Sequence, residues 1–257
     1  MTHRFDQDYW QRHWQPTAGH GPGSMAGNPP NPYLARGAAG LAPGTALDAG
    51  CGAGAEAIWL ATRGWQVTAV DIAAEALTRA ADRASAAGLT GPPIRWVEAD
   101  LTGWEPGVRF DLVTTHYAHP AMPHLAFYRR IGGWVAAGGT LLIVGHGHTP
   151  HPGGHGQAPH SGGHGQAPHS GGHLHTPHSG GHLHTPHSGG HLHTPHSGGH
   201  GHHHPAEATV TLTDIIAGLD VAEWEIRTAE EHHRGIPGPG GRTATLHDVV
   251  VRATRRP

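Results

Sequence analysis

The chain has 257 residues, 16 basic and 19 acidic, with 29 histidines and a formal net charge of −3. That balance gives no electrostatic case for a nucleic-acid or anionic-membrane partner, and no run approaches the roughly 18 apolar residues of a membrane span. A single cysteine, Cys51, excludes a disulfide within the chain and fits a reducing compartment. The first residues lack a basic, apolar leader, so a cytoplasmic location is expected.

Residues 5–14 read as a short aromatic helix, with Trp10 and Trp14 four apart on one face. A second short helix is expected over 32–39, with Pro32 in its first turn. A regular alternation then begins. Strands are expected at 45–49, 66–70, 94–97, 110–114 and 140–144, with helices at 55–63, 73–87 and 123–136. Such alternation indicates βαβ units and a parallel sheet. Further on, a helix over 213–219 capped by Thr213 precedes two strands, 221–228 and 245–253, joined by a Gly/Pro-rich loop over 236–242. Two successive strands without a crossover helix pair antiparallel. The expected fold is α/β: a Rossmann-like, seven-stranded, mostly parallel sheet with an antiparallel C-terminal strand and helices on both faces.

Residues 146–204 interrupt this pattern. They hold 20 of the 29 histidines and only three large apolar side chains, Leu174, Leu183 and Leu192. A segment so poor in apolar surface is expected to be a disordered insert dividing one domain formed by 1–145 and 205–257. It is an internal repeat: His155, His164, His173, His182, His191 and His200 stand nine apart, and proline with paired glycines recurs in each unit. Neutral imidazoles on a flexible chain suit nickel, zinc, copper or cobalt, so these six are candidate ligands. Neutral expansion of a tandem repeat gives the same sequence without a role.

The densest chemistry lies in Asp48-Ala49-Gly50-Cys51-Gly52-Ala53-Gly54, which follows the first strand and opens a helix. Glycines let a ligand approach the backbone, and the helix start offers free N–H groups. Asp71, followed by Ile72, ends the second strand, where a carboxylate can accept both hydroxyls of a ribose. Asp100 and Leu101 follow the third strand, and Thr115 and His116 end the fourth. Cys51 reads as a small buried packing residue rather than a nucleophile.

These motifs resemble the class I S-adenosylmethionine-dependent methyltransferase family. The resemblance implies that Gly50, Gly52 and Gly54 line the methionine end of S-adenosylmethionine, with Asp48 near its ammonium and Cys51 within the cofactor site. It further implies that Asp71 holds the ribose, Asp100 and Leu101 the adenine, that Ile72 also belongs to the cofactor site, and that Thr115 and His116 face cofactor and acceptor. The N-terminal helix resembles the thiopurine and tellurite-resistance branch, in which Trp10 and Trp14 would fold over the cofactor; a core stripe that only docks the helix is the other reading. A small-molecule acceptor is expected, and the branch implies a soft nucleophile such as a thiol or metalloid. His116 and His119 are candidate bases for an acceptor that arrives protonated, or else they shape the pocket. Gly50-x-Gly52-x-x-Ala55 with Asp71 also loosely fits a dinucleotide-binding oxidoreductase, against which Asp48 and Asp100 argue. A metal-buffering protein on a methyltransferase-like scaffold, or a cofactor-binding regulator without turnover, are the remaining alternatives.

Overall fold

A computed structural model describes residues 5–15, 27–89, 93–147, 209–237 and 243–257. Local caps fix where the first helices begin. The Asp6 carboxylate accepts the Tyr9 N–H (2.9 Å) and opens α1, Gln7–Trp14. The Asn31 side chain accepts the Tyr33 N–H (3.0 Å) and Pro32 occupies the first position of α2, Pro32–Gly37.

The alternation comes next in the chain: β1 (Thr45–Ala49), α3 (Ala55–Ala61), β2 (Gln66–Asp71), α4 (Ala74–Ala86), β3 (Ile94–Glu98), β4 (Phe110–His116), α5 (His124–Gly132), β5 (Val135–His146), α6 (Leu212–Ala217), β6 (Trp224–Pro237) and β7 (Thr243–Arg255). Seven strands form one sheet in the order β3-β2-β1-β4-β5-β7-β6. β1 to β5 pair in parallel, whereas β7 runs antiparallel to both β5 and β6. On one face Leu47, Val113, Leu141 and Ile143 pack against Phe127 and Ile131 of α5 and Ile215 of α6. On the other, Ala46, Leu112, Leu142 and Val250 meet Leu34 of α2, Leu60 of α3 and Leu77 of α4. The seven-stranded, mostly parallel architecture with helices on both faces is the one read from the alternation.

Several boundaries move. The helix expected over 123–136 stops at Gly132, and β5 begins at Val135 rather than at residue 140. Val135 pairs with Phe110, and left-handed Gly138 (φ +76°) then lets the strand shift register before Thr140 pairs with Leu112. The cap of α6 is Thr211, not Thr213: its hydroxyl accepts the Asp214 N–H (3.1 Å), while Val210 is still extended and bridged to Gly147. β6 starts at Trp224, three residues later than expected, and both strands run on to pair as far as Pro237 with Thr243. Their outer halves are rich in Glu, His and Arg, which hides the strand pattern.

The insert also starts later than expected. His146 is a buried residue of β5 paired with Asp248, so strand pairing and not residue type sets the boundary. The disorder expected for the insert falls, from residue 148 to residue 204, outside the described residues. Its flanks meet: the Val210 N–H donates to the His146 carbonyl (3.0 Å) and Gly147 bridges Val210. Replacing residues 150–207 by a glycine-serine linker of about ten residues should therefore leave the thermal midpoint within about 3 °C of the parent. Loss of cooperative unfolding in calorimetry would show instead that the excised residues hold the domain together.

Candidate cofactor and acceptor site

β1 lies between β2 and β4. Chain leaving β1 and β2 forms helices on one face and chain leaving β4 forms α5 on the other, so the strand ends diverge around a crevice, the place where open α/β sheets bind ligands. The loop after β1 enters it. The N–H groups of Gly50 and Cys51 both donate to the Val70 carbonyl (2.9 and 3.0 Å), which turns the chain sharply. Gly50 has φ +81°, and a Cβ there would sit 2.5 Å from that of Ala118; Gly54 has φ +75°, and its Cβ would sit 2.7 Å from the Trp96 ring. Conformation and space both demand glycine at these two positions.

Asp71 ties the loop to β2. One carboxylate oxygen accepts the Gly52 N–H (2.8 Å) and the other the Ala73 N–H (3.0 Å). Burial raises its pKa, opposed by the N–H groups of Ala73, Gly52 and Ile72. Asp48, beside Thr114 in the register, is 1% exposed. Its Oδ2 has no partner among the described residues, while the Ala57 N–H serves the carboxylate. Burial first, then Glu56 and Asp71, push this carboxyl well above the usual range. Sequence reasoning missed Glu56, whose Oε1 accepts the Asn31 N–H (2.9 Å). Burial likewise pushes the Cys51 thiol up; it donates to the Gly52 carbonyl (3.8 Å) and packs in the core beneath α3, as a packing residue does.

The helix α1 closes over this loop. Trp14 is buried with Ala53, Ala73 and Ala76, its carbonyl receives Arg79 (2.7 Å), and Trp10 packs beside it. The Trp10 indole N–H reaches the His119 carbonyl (3.3 Å). The two tryptophans do share the inner face. Ile72 is half-buried, and Asp100 is exposed and accepts the Thr102 N–H (2.8 Å). Leu101 is buried in the α5-side core, with its carbonyl bonded to Arg130 (2.8 Å).

The two candidate bases are separated. His116 shares its face with Thr114, whose hydroxyl meets Nε2 at 2.7 Å; burial lowers the ring's pKa, opposed by Glu56, and Nδ1 is without a partner among the described residues. Thr115 faces the other way and donates to the Ala49 carbonyl (2.8 Å). His119 lies beyond the turn, stacked near Phe5, Trp10 and His146, with Nδ1 3.2 Å from His124 Nε2. The sequence alone did not single out His124 or His146, which only the packing of α5 and β5 brings beside His119. Among the described residues no three His, Cys, Asp or Glu side chains form a metal-binding group. The candidate ligands His155, His164, His173, His182, His191 and His200 lie outside the described residues.

The electrostatics of Asp48 give a signed expectation. A carboxyl whose folded pKa is raised favours folding fully below the ordinary carboxylate value, and that contribution is lost as pH rises through the raised pKa. Asp48→Asn should therefore stabilise the ligand-free protein at pH 7 by about 1–3 kcal/mol and flatten the fall in stability as pH rises above the ordinary carboxylate range, measured by urea denaturation. A destabilised variant would mean that the ionised carboxylate is compensated inside the fold.

A methyltransferase domain family matches residues 46–139. An uncharacterized methyltransferase of Mycobacterium tuberculosis is 44% identical over 100 residues, covering 38% of this chain and 48% of the relative. The ribosomal RNA small subunit methyltransferase C of Alcanivorax borkumensis is 42% identical over 74 residues, covering 29% of this chain and 22% of the relative. The match thus spans about half the length of the first relative and less of the second. Among solved structures, TehB from Haemophilus influenzae superposes with a TM-score of 0.56 at 14% identity, covering 98% of this chain and 67% of that one. Burkholderia thailandensis 1,6-didemethyltoxoflavin-N1-methyltransferase superposes with a TM-score of 0.50 at 18% identity, covering 88% and 78%. A protein whose structure was solved for the conversion of a disulfide bond into a thioacetal group during echinomycin biosynthesis gives 0.57 at 22% identity, covering 98% and 90%. At these identities the structural likeness establishes the fold, and the motif-bearing segment of the sequence is matched by the domain family. Residues 46–139 are thus similar in sequence to methyltransferase domains, and the fold is similar to those of solved methyltransferases.

Proposed function

We propose that this chain is an enzyme that binds S-adenosylmethionine and methylates a small-molecule acceptor by in-line displacement. The observation that carries this reading is the paired acids around the glycine loop. Asp48 offers a buried carboxylate oxygen without a partner among the described residues, and Asp71 stands at the end of the neighbouring strand. A buried, unpaired carboxylate oxygen suits the ammonium of an amino-acid moiety, whose charge would relieve its desolvation. Both Asp71 oxygens accept backbone N–H groups, and the carboxylate keeps acceptor capacity for a ribose hydroxyl. Gly50, Gly52 and Gly54 leave room for close approach, and Trp10 and Trp14 would cover the bound molecule, their faces favouring a cation. Ile72, Asp100 and Leu101 would meet the adenine side. When bound, the cofactor supplies an electrophilic methyl group on a sulfonium.

The chain's own task is then to hold donor and acceptor in line, an effect with a potential of about 7–11 kcal/mol in ideal cases. His119 and His116 divide the remaining roles in this reading. His119 sits at the edge beyond β4, where an arriving acceptor would meet it, and serves as the base if one is needed. His116 stays neutral because burial lowers its pKa, and with Thr114 it shapes the inner wall. A soft acceptor, a thiol or metalloid, rests on the resemblance of the N-terminal helix to the thiopurine and tellurite-resistance branch. No described helix is long and apolar enough to cross a membrane, and we place the enzyme in the cytoplasm.

The test is calorimetry with S-adenosylhomocysteine, followed by a labelled-methyl screen against thiols, metalloid oxyanions, halides and small phenols. Asp71→Ala should weaken binding at least about tenfold, the cost of removing a charged hydrogen-bond acceptor. Undiminished affinity in that variant, or binding of NADH in place of the homocysteine compound, would overturn the reading.

The nine-residue repeat favours a second, separable property, divalent-metal binding by its imidazoles. Titration with nickel or zinc at pH 7.5 should show several sites, and affinity should fall as pH drops through the imidazole pKa, about 6.5. Metal binding that survives deletion of the repeat would remove it from the insert. Tight metal binding without any cofactor binding would favour the buffering alternative.

A further inference from the structure

Asp248 is fully buried in β7, next to Val249, Val250 and Val251. Its Oδ2 accepts the Tyr33 hydroxyl of α2 (3.0 Å) and Arg234 Nε of β6 (2.6 Å). Its Oδ1 accepts the Tyr117 hydroxyl (2.8 Å), and Arg234 Nη2 donates to that same hydroxyl (3.1 Å). Burial and Asp248 push the Tyr33 hydroxyl up to about 12, and burial raises that of Tyr117 as well, so both remain donors at neutral pH. One carboxylate thus joins α2, the exit of β4 and the terminal hairpin.

Tyr117 is the only non-glycine among the described residues with positive φ, +54°. Bulky side chains rarely adopt that region, and it persists where surroundings over-determine it. Here the Tyr117 N–H donates to the Val144 carbonyl (2.9 Å), its ring stacks on His146 (4.4 Å between centroids), and its hydroxyl is held from two sides. The turn directs the next two residues. The Cβ of Ala118 occupies the space beside Gly50, and the carbonyl of His119 receives the Trp10 indole. The conformation of Tyr117 therefore fixes the wall that faces the glycine loop.

We propose that Asp248 is a positioning residue. Through Tyr117 and Arg234 it holds the left-handed turn after β4, and with it the Ala118–His119 wall of the cofactor crevice. The effect on cofactor binding rests on the methyltransferase reading; the effect on the turn does not.

Two tyrosines bonded to one carboxylate supply the control. Tyr117→Phe removes a hydroxyl that grips the turn, whereas Tyr33→Phe removes one that grips the same carboxylate from α2. Both variants should unfold at lower temperature than the parent. Only Tyr117→Phe and Asp248→Asn should speed amide hydrogen exchange at residues 117–119 in the ligand-free full chain. Only these two should weaken S-adenosylhomocysteine binding, by about five- to tenfold for the lost hydrogen bonds. Parental exchange in Tyr117→Phe, or equal weakening by Tyr33→Phe, would overturn the proposal and leave the cluster a general stabiliser. If the parent does not bind the homocysteine compound at all, the methyltransferase reading falls, and the exchange rates alone decide the positioning role. Should Asp248→Asn not fold, Tyr117→Phe, which keeps ring and backbone, decides alone.

Discussion

Both oxygens of Asp71 are satisfied by backbone N–H groups, one from the glycine loop and one from the start of α4. This carboxylate is the joint between two βα units, and the crevice exists because it holds them together. It places the Gly52 amide inward, which keeps the loop low enough for Trp14 to cover it. The joint is made in a dry region already holding Asp48, and Asp71 adds to the cost of ionising that second acid. A fold selected for stability alone would not gather two carboxylates here. Two carboxylates in an apolar surround are the feature on which the proposed cofactor site rests.

The elements that the sequence announced are those with local causes. The glycine loop is legible because left-handed backbone and a missing Cβ are demanded within a few residues. β1 to β4 are legible because their apolar runs end in Gly, Pro or Asp. The start of β5 was not, because Val135 becomes a strand only by pairing with Phe110, a partner 25 residues away. The outer half of the terminal hairpin was hidden for a similar reason. Its Glu, His and Arg side chains occupy an edge strand, where charge is compatible with pairing and discourages further strands from adding.

The site divides along the same line. Asp48, Asp71 and the glycines stand in one short motif and at one strand end, so their convergence followed from topology. Asp248 came from the far end of the chain, an acid beside three valines, and nothing local tells whether such an acid faces water or a ring of donors. His116 and His119 lie three residues apart yet end in different surroundings, because the positive φ of Tyr117 breaks the strand's alternation between them. A single residue's dihedral angle decides which imidazole is sealed inside and which meets the edge.

The bond from Val210 to the His146 carbonyl brings the two flanks of the nine-residue repeat side by side. The surrounding fold thus senses the distance between two fixed anchor points and not the number of units strung between them. Replication slippage can add or remove a unit while leaving those anchors in place. A change in imidazole content made that way leaves the two strand-end anchors themselves unaltered.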